Sequence, residues 1–467
     1  MASALQSLVM GPGVNPIGDL VLERVKDEFD PTVCRCILQK LFRFLDESPT
    51  CCHAAANVLA AMKAAGAVEL RESEPWKLEK GGLYAVSRGD SAVIAFRVPE
   101  GAFHGFLMVA AHSDSPTFKI RETGETASAG NTLRLSVEPY GGGIWRGWLD
   151  RPLSVAGRVV IRQGGRLLSR LVNIDRDLLV IPSVAIHMDR TVNKGTALNP
   201  AVDLLPLLGC GREPGAFRKL IAEAAGVREE HLLSTELFLY PRTKAVQAGL
   251  NGEFIVSPRL DDLQCVFGCM EGFLAARPGG SLPVLAVFNN EEVGSNTRQG
   301  ADSTFLTDVL ERIADGCGLS REAWKTAVAN SFMVSADNAH AIHPAHPEYA
   351  DKGEFPVLNG GIVIKYNANQ RYTTDAVSGA VFQAVCQEAG VPTQRYSNRA
   401  DLPGGSTLGN ISTAHLSVPT VDIGLPQLAM HSVCETAGAA DTEYLVKAMT
   451  AYFSRDFHYD SDGGITL

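Results

Sequence analysis

The sequence predicts an α/β protein with a central mixed sheet flanked by helices, interrupted by a β-rich insertion. Continuous apolar runs such as residues 106–111 and 284–288 are typical of buried strands. Helical patterns alternate with such runs after about residue 249, whereas the pattern changes between about residues 117 and 248. A chain of 467 residues with 45% hydrophobic content is too long for one ordinary core, so we expect two domains.

The first domain is predicted to comprise residues 1–116 and 249–467. An alanine-rich helix is expected from His53 to about Ala67, followed by strands that lead to His112. The later elements are a helix from about residue 262, strands ending near residues 291 and 337, a helix over 375–388 that ends near Gly390, and a helix over 441–453.

The inserted domain is predicted to span residues 117–248. Polar and apolar residues alternate over residues 132–137, which is typical of a half-buried strand. Residues 157–168 favour a hairpin that turns at Gly164 and Gly165. This β-rich insertion separates His112 from Asp261 in the sequence.

Two adjacent glutamates, Glu291 and Glu292, follow the apolar run at residues 284–288. The carboxyl ends of strands are where open α/β sheets place their sites. Successive side chains of a strand point to opposite faces, so both acids reach one site only if the chain turns, which Gly294 permits. One acid would bind a metal ion and the other would transfer protons. The alternative is a solvated pair at an exposed strand end.

Other polar clusters also follow apolar runs. His112 is a natural zinc or cobalt ligand whose ring Asp114 could orient, although a lone histidine there is more often structural. Asp261 and Asp262 lie at a strand-to-helix junction, where Asp262 could cap the helix. Asp261 is the acid that we expect to bind metal.

The candidate ligands share a position after apolar runs. They are His112, Asp261, Glu292, Asp337 and His431, with Glu291 left as an unligated carboxylate. Five ligands and a general base match a hydrolase with two metal ions about 3.5–4 Å apart. Histidine and carboxylate ligands suit zinc, cobalt or manganese.

Composition excludes several function classes. The formal net charge of −10 and the lack of a basic stretch argue against a nucleic-acid partner. The first twenty residues carry no Lys or Arg, and no segment reaches the roughly 18 apolar residues of a membrane span, so neither a secretory signal nor a membrane protein is predicted. Most of the ten cysteines are expected to be free thiols, which favours a cytoplasmic protein.

Six ordered strings carry a family resemblance: AAHSDSP, SPRLDD, NNEEVGS, SADNAHAIHP, VIKYNANQRY and PQLAMHS. From about Asn15 to the C-terminus the chain resembles the aspartyl aminopeptidases, a family of cytosolic peptidases with two metal ions. The resemblance implies a catalytic domain of the di-zinc exopeptidase type, interrupted by a β-rich dimerisation domain. It also implies a homo-oligomer, a tetrahedral dodecamer built from dimers.

The resemblance assigns roles to the candidate ligands. One metal ion, most often zinc, would be held by His112, Asp261 and Asp337, and the other by Asp261, Glu292 and His431. Asp261 would bridge the two ions, and Glu291 would be the general base.

Four further residues match positions that act on the substrate in this family. Lys365, Tyr372 and His340 match residues that contact the substrate, although Lys365 could instead be an ordinary exposed lysine that ends a strand. His187 matches a histidine that reaches into the neighbouring subunit and helps to hold the reacting carbonyl group. A monomer would then be inactive.

The chain departs from the family pattern at two places. Asp262 stands where many relatives carry asparagine, which puts a second acid beside the bridging one. Residues 396–407 follow the general pattern but differ in the middle. These departures concern ligand choice and acidic specificity rather than peptidase chemistry.

The predicted function is metal-dependent hydrolysis of the amino-terminal residue, an acidic one, from peptides with a free N-terminus. One alternative is a leucine-type aminopeptidase of the same family. A carboxypeptidase or amidase with two metal ions would use the same ligands and act on blocked N-termini. A non-enzymatic shell or cargo protein is the alternative from another class, but it would not need to keep a general base and a full ligand set.

Overall fold

The computed structural model describes residues 31–211, 215–405 and 407–467. Asn15 and the rest of residues 1–30 of the predicted first domain lie outside the described residues. The helices are α1 (Pro31–Glu47), α2 (Cys51–Ala64), α3 (Ala216–Ala224), α4 (Leu260–Ala275), α5 (Phe305–Gly316), α6 (Arg321–Ala329), α7 (Ala376–Glu388), α8 (Leu408–His415) and α9 (Asp441–Phe453).

The strands are β1 (Val68–Leu70), β2 (Leu83–Arg88), β3 (Ala92–Arg97), β4 (Phe106–His112), β5 (Thr117–Ser128), β6 (Thr132–Tyr140), β7 (Leu153–Gln163), β8 (Arg166–Asn173), β9 (Leu207–Cys210), β10 (Leu232–Pro241), β11 (Val246–Ala248), β12 (Phe254–Ser257), β13 (Leu282–Phe288), β14 (Phe332–Ala336), β15 (Ala339–His340), β16 (Ile362–Tyr366), β17 (Thr393–Ser397), β18 (Thr420–Gly424), β19 (Pro426–Leu428), β20 (Glu435–Gly438), β21 (His458–Tyr459) and β22 (Ile465–Thr466).

A nine-stranded sheet forms the centre of the fold, with the strand order β1-β2-β3-β13-β4-β14-β18-β16-β17. Neighbouring strands β13, β4, β14 and β18 are parallel. Antiparallel pairing with β3 on one side and with β16 on the other makes the sheet mixed. The predicted central mixed sheet is therefore confirmed.

Helices cover both faces of this sheet, which is why its central strands are buried along their length and mostly apolar. Along β4, Leu107 and Val109 belong to the core that contains residues of α1, α2, α4, α7 and α9. Phe106 and Met108, on the opposite face, pack with α5, α6 and α8. The carboxyl ends of the parallel strands consequently meet at one edge of a three-layered structure.

A six-stranded antiparallel sheet lies between β4 and β12 in the sequence, with the order β8-β7-β10-β5-β6-β9. The predicted hairpin is present: β7 pairs with β8, and Gly164 and Gly165 form its turn with φ values of 56° and 76°. This sheet and α3 share a separate apolar core. The exact domain boundaries stay a prediction, since β11 pairs with β12 outside this sheet.

A small five-stranded sheet, of order β11-β12-β20-β19-β15, carries two of the predicted polar clusters. The four-residue strand β12, which precedes Asp261, pairs antiparallel with β20. His431 lies between β19 and β20 of the same sheet. These two candidate ligands therefore come from the small sheet, whereas the others follow strands of the central one.

The predicted helices are present. The helix expected from His53 to about Ala67 begins at Cys51 and ends at Ala64. Asp375 caps α7 by accepting a hydrogen bond from the Ser378 N–H, and Gly390 follows with a φ of 66°. The last helix has the predicted bounds, 441–453.

Among the described helices, none combines the length and apolar character that crossing a bilayer requires.

Candidate metal centre

The predicted ligands meet at the carboxyl edge of the central sheet. His112 ends β4, and Glu291 and Glu292 follow the neighbouring parallel strand β13. Asp337 follows β14, on the other side of β4. Asp261 lies at the start of α4, where its φ of −80° and ψ of 108° are not helical.

Asp261 lies between the two histidines. Its Oδ1 is 3.5 Å from His112 Nε2, and its Oδ2 is 3.3 Å from His431 Nε2. Two sets of donor atoms, each within 4.8 Å of one another, share it: His112, Asp261 and Asp337 form one set, and Asp261, Glu292 and His431 form the other. This is the arrangement that a carboxylate needs in order to bridge two metal ions.

The donor set carries an excess of negative charge that cations would balance. Asp261 is 3% exposed, and neither its Oδ1 nor Glu292 Oε1 has a hydrogen-bond partner. Burial, with repulsion from neighbouring carboxylates, raises the pKa of Glu292 and of Asp337. Burial acts in the same sense on Asp261, but the two histidines hold its pKa below the ordinary value. Imidazole and carboxylate donors suit zinc, so these residues fit a metal centre.

Glu291 stands in a short turn after β13. Residues 291–293 form one turn of 3₁₀ helix between Asn290 and Gly294, which have φ values of 62° and 96°. With His112, the two glutamates form a third set of donor atoms within 4.8 Å. Burial raises the pKa of Glu291 to about 7, and the charges of nearby carboxylates act in the same direction. A carboxyl group of this pKa can both accept and return a proton near neutral pH.

Asp114 holds this turn in place. Its buried carboxylate accepts hydrogen bonds from the N–H groups of Glu291 at 3.1 Å and Glu292 at 3.2 Å, and from the Tyr140 hydroxyl at 2.7 Å. Asp114 Oδ1 also lies 3.5 Å from His112 Nδ1, which is 3.1 Å from the main-chain oxygen of Asp114. Asp114 therefore positions the glutamate pair in addition to lying beside the His112 ring, where it was expected.

Glu435 is a positioning residue that the sequence analysis missed. Its buried carboxylate accepts hydrogen bonds from the N–H groups of His431 at 2.7 Å and Asp261 at 3.0 Å. Burial, with the charge of Asp261, raises the pKa of Glu435 to about 8. No strand-end pattern marks Glu435 as a site residue, because it begins β20 rather than following a strand.

The six-stranded sheet also supports the site, which the sequence did not indicate. After β6, the chain runs beside His431: its Nδ1 is 2.9 Å from Gly142 O, and its main-chain oxygen accepts a hydrogen bond from the Ile144 N–H at 2.9 Å. The Tyr140 hydroxyl, at the end of β6, accepts a hydrogen bond from Asn290 Nδ2 at 2.9 Å. The position of His431 thus depends on the inserted segment.

Asp262 does not cap α4, so that alternative is wrong. The helix has no side-chain cap at its N-terminus. Instead, Asp262 Oδ2 accepts a hydrogen bond from the His112 N–H at 3.1 Å, while Oδ1 is buried without a partner. Burial, with repulsion from Asp337 and Asp261, raises the pKa of Asp262. Asp262 therefore holds the main chain of His112, one of the candidate metal ligands.

A pocket of about 280 Å³ opens in front of the candidate ligands. His340, Lys365 and Tyr372 all line it, together with Tyr396 and Met430. The segment at residues 396–407, where the chain departs from the family pattern, contributes Gly405 and Thr407 as well as Tyr396.

Lys365 is buried in this pocket, so the alternative of an exposed strand-end lysine is wrong. It is 3% exposed. Its Nζ donates a hydrogen bond to Asn338 O at 2.9 Å, lies 3.5 Å from Asp337 Oδ1 and stands 5.5 Å from the centre of the Tyr372 ring. Burial opposes the charged form, but the Asp337 carboxylate holds the pKa of Lys365 above its ordinary value. The pocket therefore contains a fixed positive charge.

His187 lies away from this pocket. It is exposed in a surface segment after β8 and does not line the pocket of its own chain. Three apolar side chains beside it, Val184, Ile186 and Met188, are 58%, 44% and 84% exposed. Its action in a neighbouring subunit stays a prediction.

Comparisons with known proteins match nearly the whole described chain. Residues 44–453 match the model of the family described as "Aminopeptidase I zinc metalloprotease (M18)". A Clostridium acetobutylicum protein named "Probable M18 family aminopeptidase 2" is 44% identical over 424 residues, which cover 89% of this chain and 98% of that protein. A Pseudomonas aeruginosa protein of the same name is 41% identical over 424 residues, with 89% and 97% covered.

Solved structures share the fold. The structure described as the complex of Ape4 and Nbr1 gives a TM-score of 0.87 at 35% identity and covers 90% of this chain and 86% of that one. The mApe1 dodecamer of Saccharomyces cerevisiae gives a TM-score of 0.79 at 26% identity, with 89% and 95% covered.

The geometry around Asp261 makes a prediction about zinc content. Asp261→Ala should bind about two fewer zinc ions per chain than the wild type, because Asp261 belongs to both donor sets, whereas Asp337→Ala should bind about one fewer. Zinc would be measured by mass spectrometry after dialysis, with circular dichroism to verify folding. Wild-type zinc content in folded Asp261→Ala would contradict the shared role.

Proposed function

The chain belongs to the M18 family of zinc metallo-aminopeptidases, and we propose that it removes an acidic amino-terminal residue, aspartate or glutamate, from peptides. The observation that carries the proposal is the pocket itself, in which the shared carboxylate of Asp261 and the buried cation of Lys365 face one space. The ligands would be those expected from the sequence: His112, Asp261 and Asp337 for one metal ion, and Asp261, Glu292 and His431 for a second.

Glu291 would be the general base and acid. When bound, the metal ions would supply an activated water molecule and polarise the scissile carbonyl group. Glu291 would accept the proton from that water, because its carboxylate lies beside the ligand His112 but belongs to neither of the two proposed ligand sets. It would then return the proton to the departing amino group. Asp114 would keep Glu291 in position through the hydrogen bond from its N–H.

The acidic preference would come from local charge. The whole chain carries a formal charge of −10, which repels an acidic peptide at long range. Inside the pocket, Lys365 is a buried cation next to the metal ligand Asp337, and His340 and Tyr372 stand close by. A lysine ammonium is a suitable partner for a side-chain carboxylate once water has been displaced.

The active form would be a homo-oligomer, and we propose the dodecamer built from dimers. The exposed apolar residues Val184, Ile186 and Met188 support an interface around His187, because contiguous exposed apolar patches mark contact surfaces. A yeast relative of 26% identity is described as a dodecamer. Across such an interface, His187 would reach a neighbouring pocket and donate a hydrogen bond to the developing oxyanion.

The compartment would be the cytoplasm. Every cysteine that the structure describes is free, and Cys265, Cys269 and Cys386 are buried in the core. Free thiols persist in a reducing environment, which supports this part of the proposal.

Replacing the general base should separate metal binding from turnover. Glu291→Gln keeps the shape of the side chain but cannot accept a proton, so kcat should fall about 10²–10⁴-fold while the zinc content stays at the wild-type level. The matched control is Glu311→Gln, which changes an exposed glutamate on α5. Turnover at the wild-type rate in Glu291→Gln would rule out this role.

Removing the buried cation should change substrate preference. Lys365→Met should lower kcat/KM for aspartyl substrates about 10- to 100-fold and leave leucyl substrates much less affected, because a charge-assisted contact is lost only with the acidic side chain. Lys352→Met, at an exposed position, is the control. An equal fall in kcat/KM for both substrates would contradict the acidic pocket. It would mean that Lys365 only balances the charge of Asp337 and that the pocket accepts neutral residues.

If His187 acts in the pocket of a neighbouring subunit, two inactive variants should complement each other in a mixed oligomer. His187→Ala and Glu291→Gln should each be nearly inactive alone. Co-expressed with different tags and purified through both, mixed oligomers should recover about a quarter of wild-type activity, since some sites combine an intact Glu291 with an intact His187 from the neighbour. Mixed oligomers as inactive as either parent would show that His187 does not act across an interface.

A further inference from the structure

We propose that His104, Asp456 and His458 form a second metal site, for zinc or a similar transition-metal ion, at the opposite edge of the central sheet. One donor atom from each of the three lies within 4.8 Å of the others. His104 precedes the amino end of β4, whereas His112 ends that seven-residue strand. At about 3.3 Å per residue, the two sites lie some 20 Å or more apart.

The contact between His104 and Asp456 differs from an ordinary ion pair. His104 Nε2 and Asp456 Oδ1 are 2.7 Å apart, yet both atoms are buried and neither has a hydrogen-bond partner of suitable geometry. The His458 ring lies 5.3 Å from the His104 ring, at an angle of 83°. Two buried polar atoms in close contact without a hydrogen bond of suitable geometry, with a third donor beside them, are arranged as ligands of one ion.

A second histidine–aspartate pair provides the comparison. His415 Nε2 and Asp302 Oδ1 are also 2.7 Å apart and are similarly exposed. This pair forms a hydrogen bond and belongs to none of the metal-type donor sets among the described residues. The same distance therefore accompanies a hydrogen-bonded pair at His415 and a pair without a hydrogen bond at His104.

The surrounding chain holds the three donors in place. The Ser281 hydroxyl accepts a hydrogen bond from the Phe457 N–H at 3.1 Å, between the two C-terminal ligands. The His104 N–H donates to Gly280 O at 3.3 Å, and a side chain at Gly280 would meet the Asp456 carboxylate. These contacts bring the C-terminal segment and the chain before β4 to the same point.

The His458 ring has a further partner. His458 Nε2 lies 3.4 Å from Asp460 Oδ1, and Asp460 Oδ2 accepts a hydrogen bond from the Thr466 hydroxyl at 2.9 Å across the β21–β22 turn. A ligand histidine commonly donates its other ring N–H to a carboxylate, which fixes the ring. His458 Nδ1 lies 3.3 Å from the main-chain oxygen of Asp456, so this nitrogen faces the Asp456 segment while Nε2 faces Asp460.

The donors define the class of metal ion. Two imidazoles and one carboxylate, with the fourth position open to water, suit zinc, cobalt or nickel rather than calcium or magnesium. Ligand atoms of a tetrahedral zinc site lie about 3.3 Å apart, so the 2.7 Å contact would widen only slightly on binding. The bound ion would pin the C-terminal segment to the strand that carries His112.

Zinc stoichiometry tests the proposal on the full chain. Equilibrium dialysis against buffered free zinc, followed by mass spectrometry, should give one fewer zinc ion per chain for His104→Ala and for Asp456→Asn than for the wild type. His415→Ala is the matched control and should bind as many ions as the wild type. Asp456→Asn preserves side-chain shape, so it serves if His104→Ala fails to fold.

The difference of one ion does not depend on how many ions the pocket around Asp261 holds, so the result is independent of the proposed function. Equal stoichiometry in the wild type, His104→Ala and Asp456→Asn would overturn the site. A loss that also occurred in His415→Ala would overturn it too, by showing that any exposed histidine binds zinc under these conditions.

Discussion

The buried negative charge around Asp261 is the constraint on which the active site depends. Like charges that share a low-dielectric region repel strongly, so such a cluster persists only if cations or hydrogen-bond donors compensate it. The carboxylates divide into two groups. One group forms the two donor sets with His112 and His431, where metal ions could compensate the charge. Its members are Asp261, Glu292 and Asp337. An outer group accepts hydrogen bonds from main-chain N–H groups instead.

The outer carboxylates fix the ligands from behind. Asp262 binds the main chain of His112, and Glu435 binds the main chains of both Asp261 and His431. Asp114 does the same for the glutamate turn. His112, Asp261, Glu292 and His431 are thereby held through their main chains, which would leave their side chains available to the proposed metal ions.

The fold brings these groups together from three sheets. The central sheet sets the positions of three ligands, and Gly424 at the end of β18 allows that strand to approach Asp337 so closely that a side chain would collide with its main-chain oxygen. The small sheet contributes Asp261 and His431, and the segment after β6 supports His431. The inserted segment and the geometry of the site are therefore physically linked.

The sequence predicted whatever depends on local pattern. Apolar runs and helical periodicity located the central strands, the hairpin at Gly164 and the final helix, and polar residues after those runs indicated the side chains that meet at the candidate metal centre. What it missed depends on contacts between distant segments. Glu435 links the nearby His431 to Asp261, which is distant in the sequence, and Tyr140 contacts the distant Asp114 and Asn290. The strand β12 is too short to reveal which sheet it joins. His187 lies outside the pocket of its own chain, so one chain alone cannot assign its role.

The most direct test is release of a chromophore from aspartyl, glutamyl, leucyl and N-acetylated aspartyl substrates, before and after chelation and with zinc, cobalt or manganese restored. We expect chelator-sensitive cleavage of the free aspartyl and glutamyl substrates, with little cleavage of leucyl and none of the acetylated substrate. Equal or faster cleavage of the leucyl substrate would contradict the acidic specificity, and cleavage that survives complete metal removal would contradict the metal centre itself.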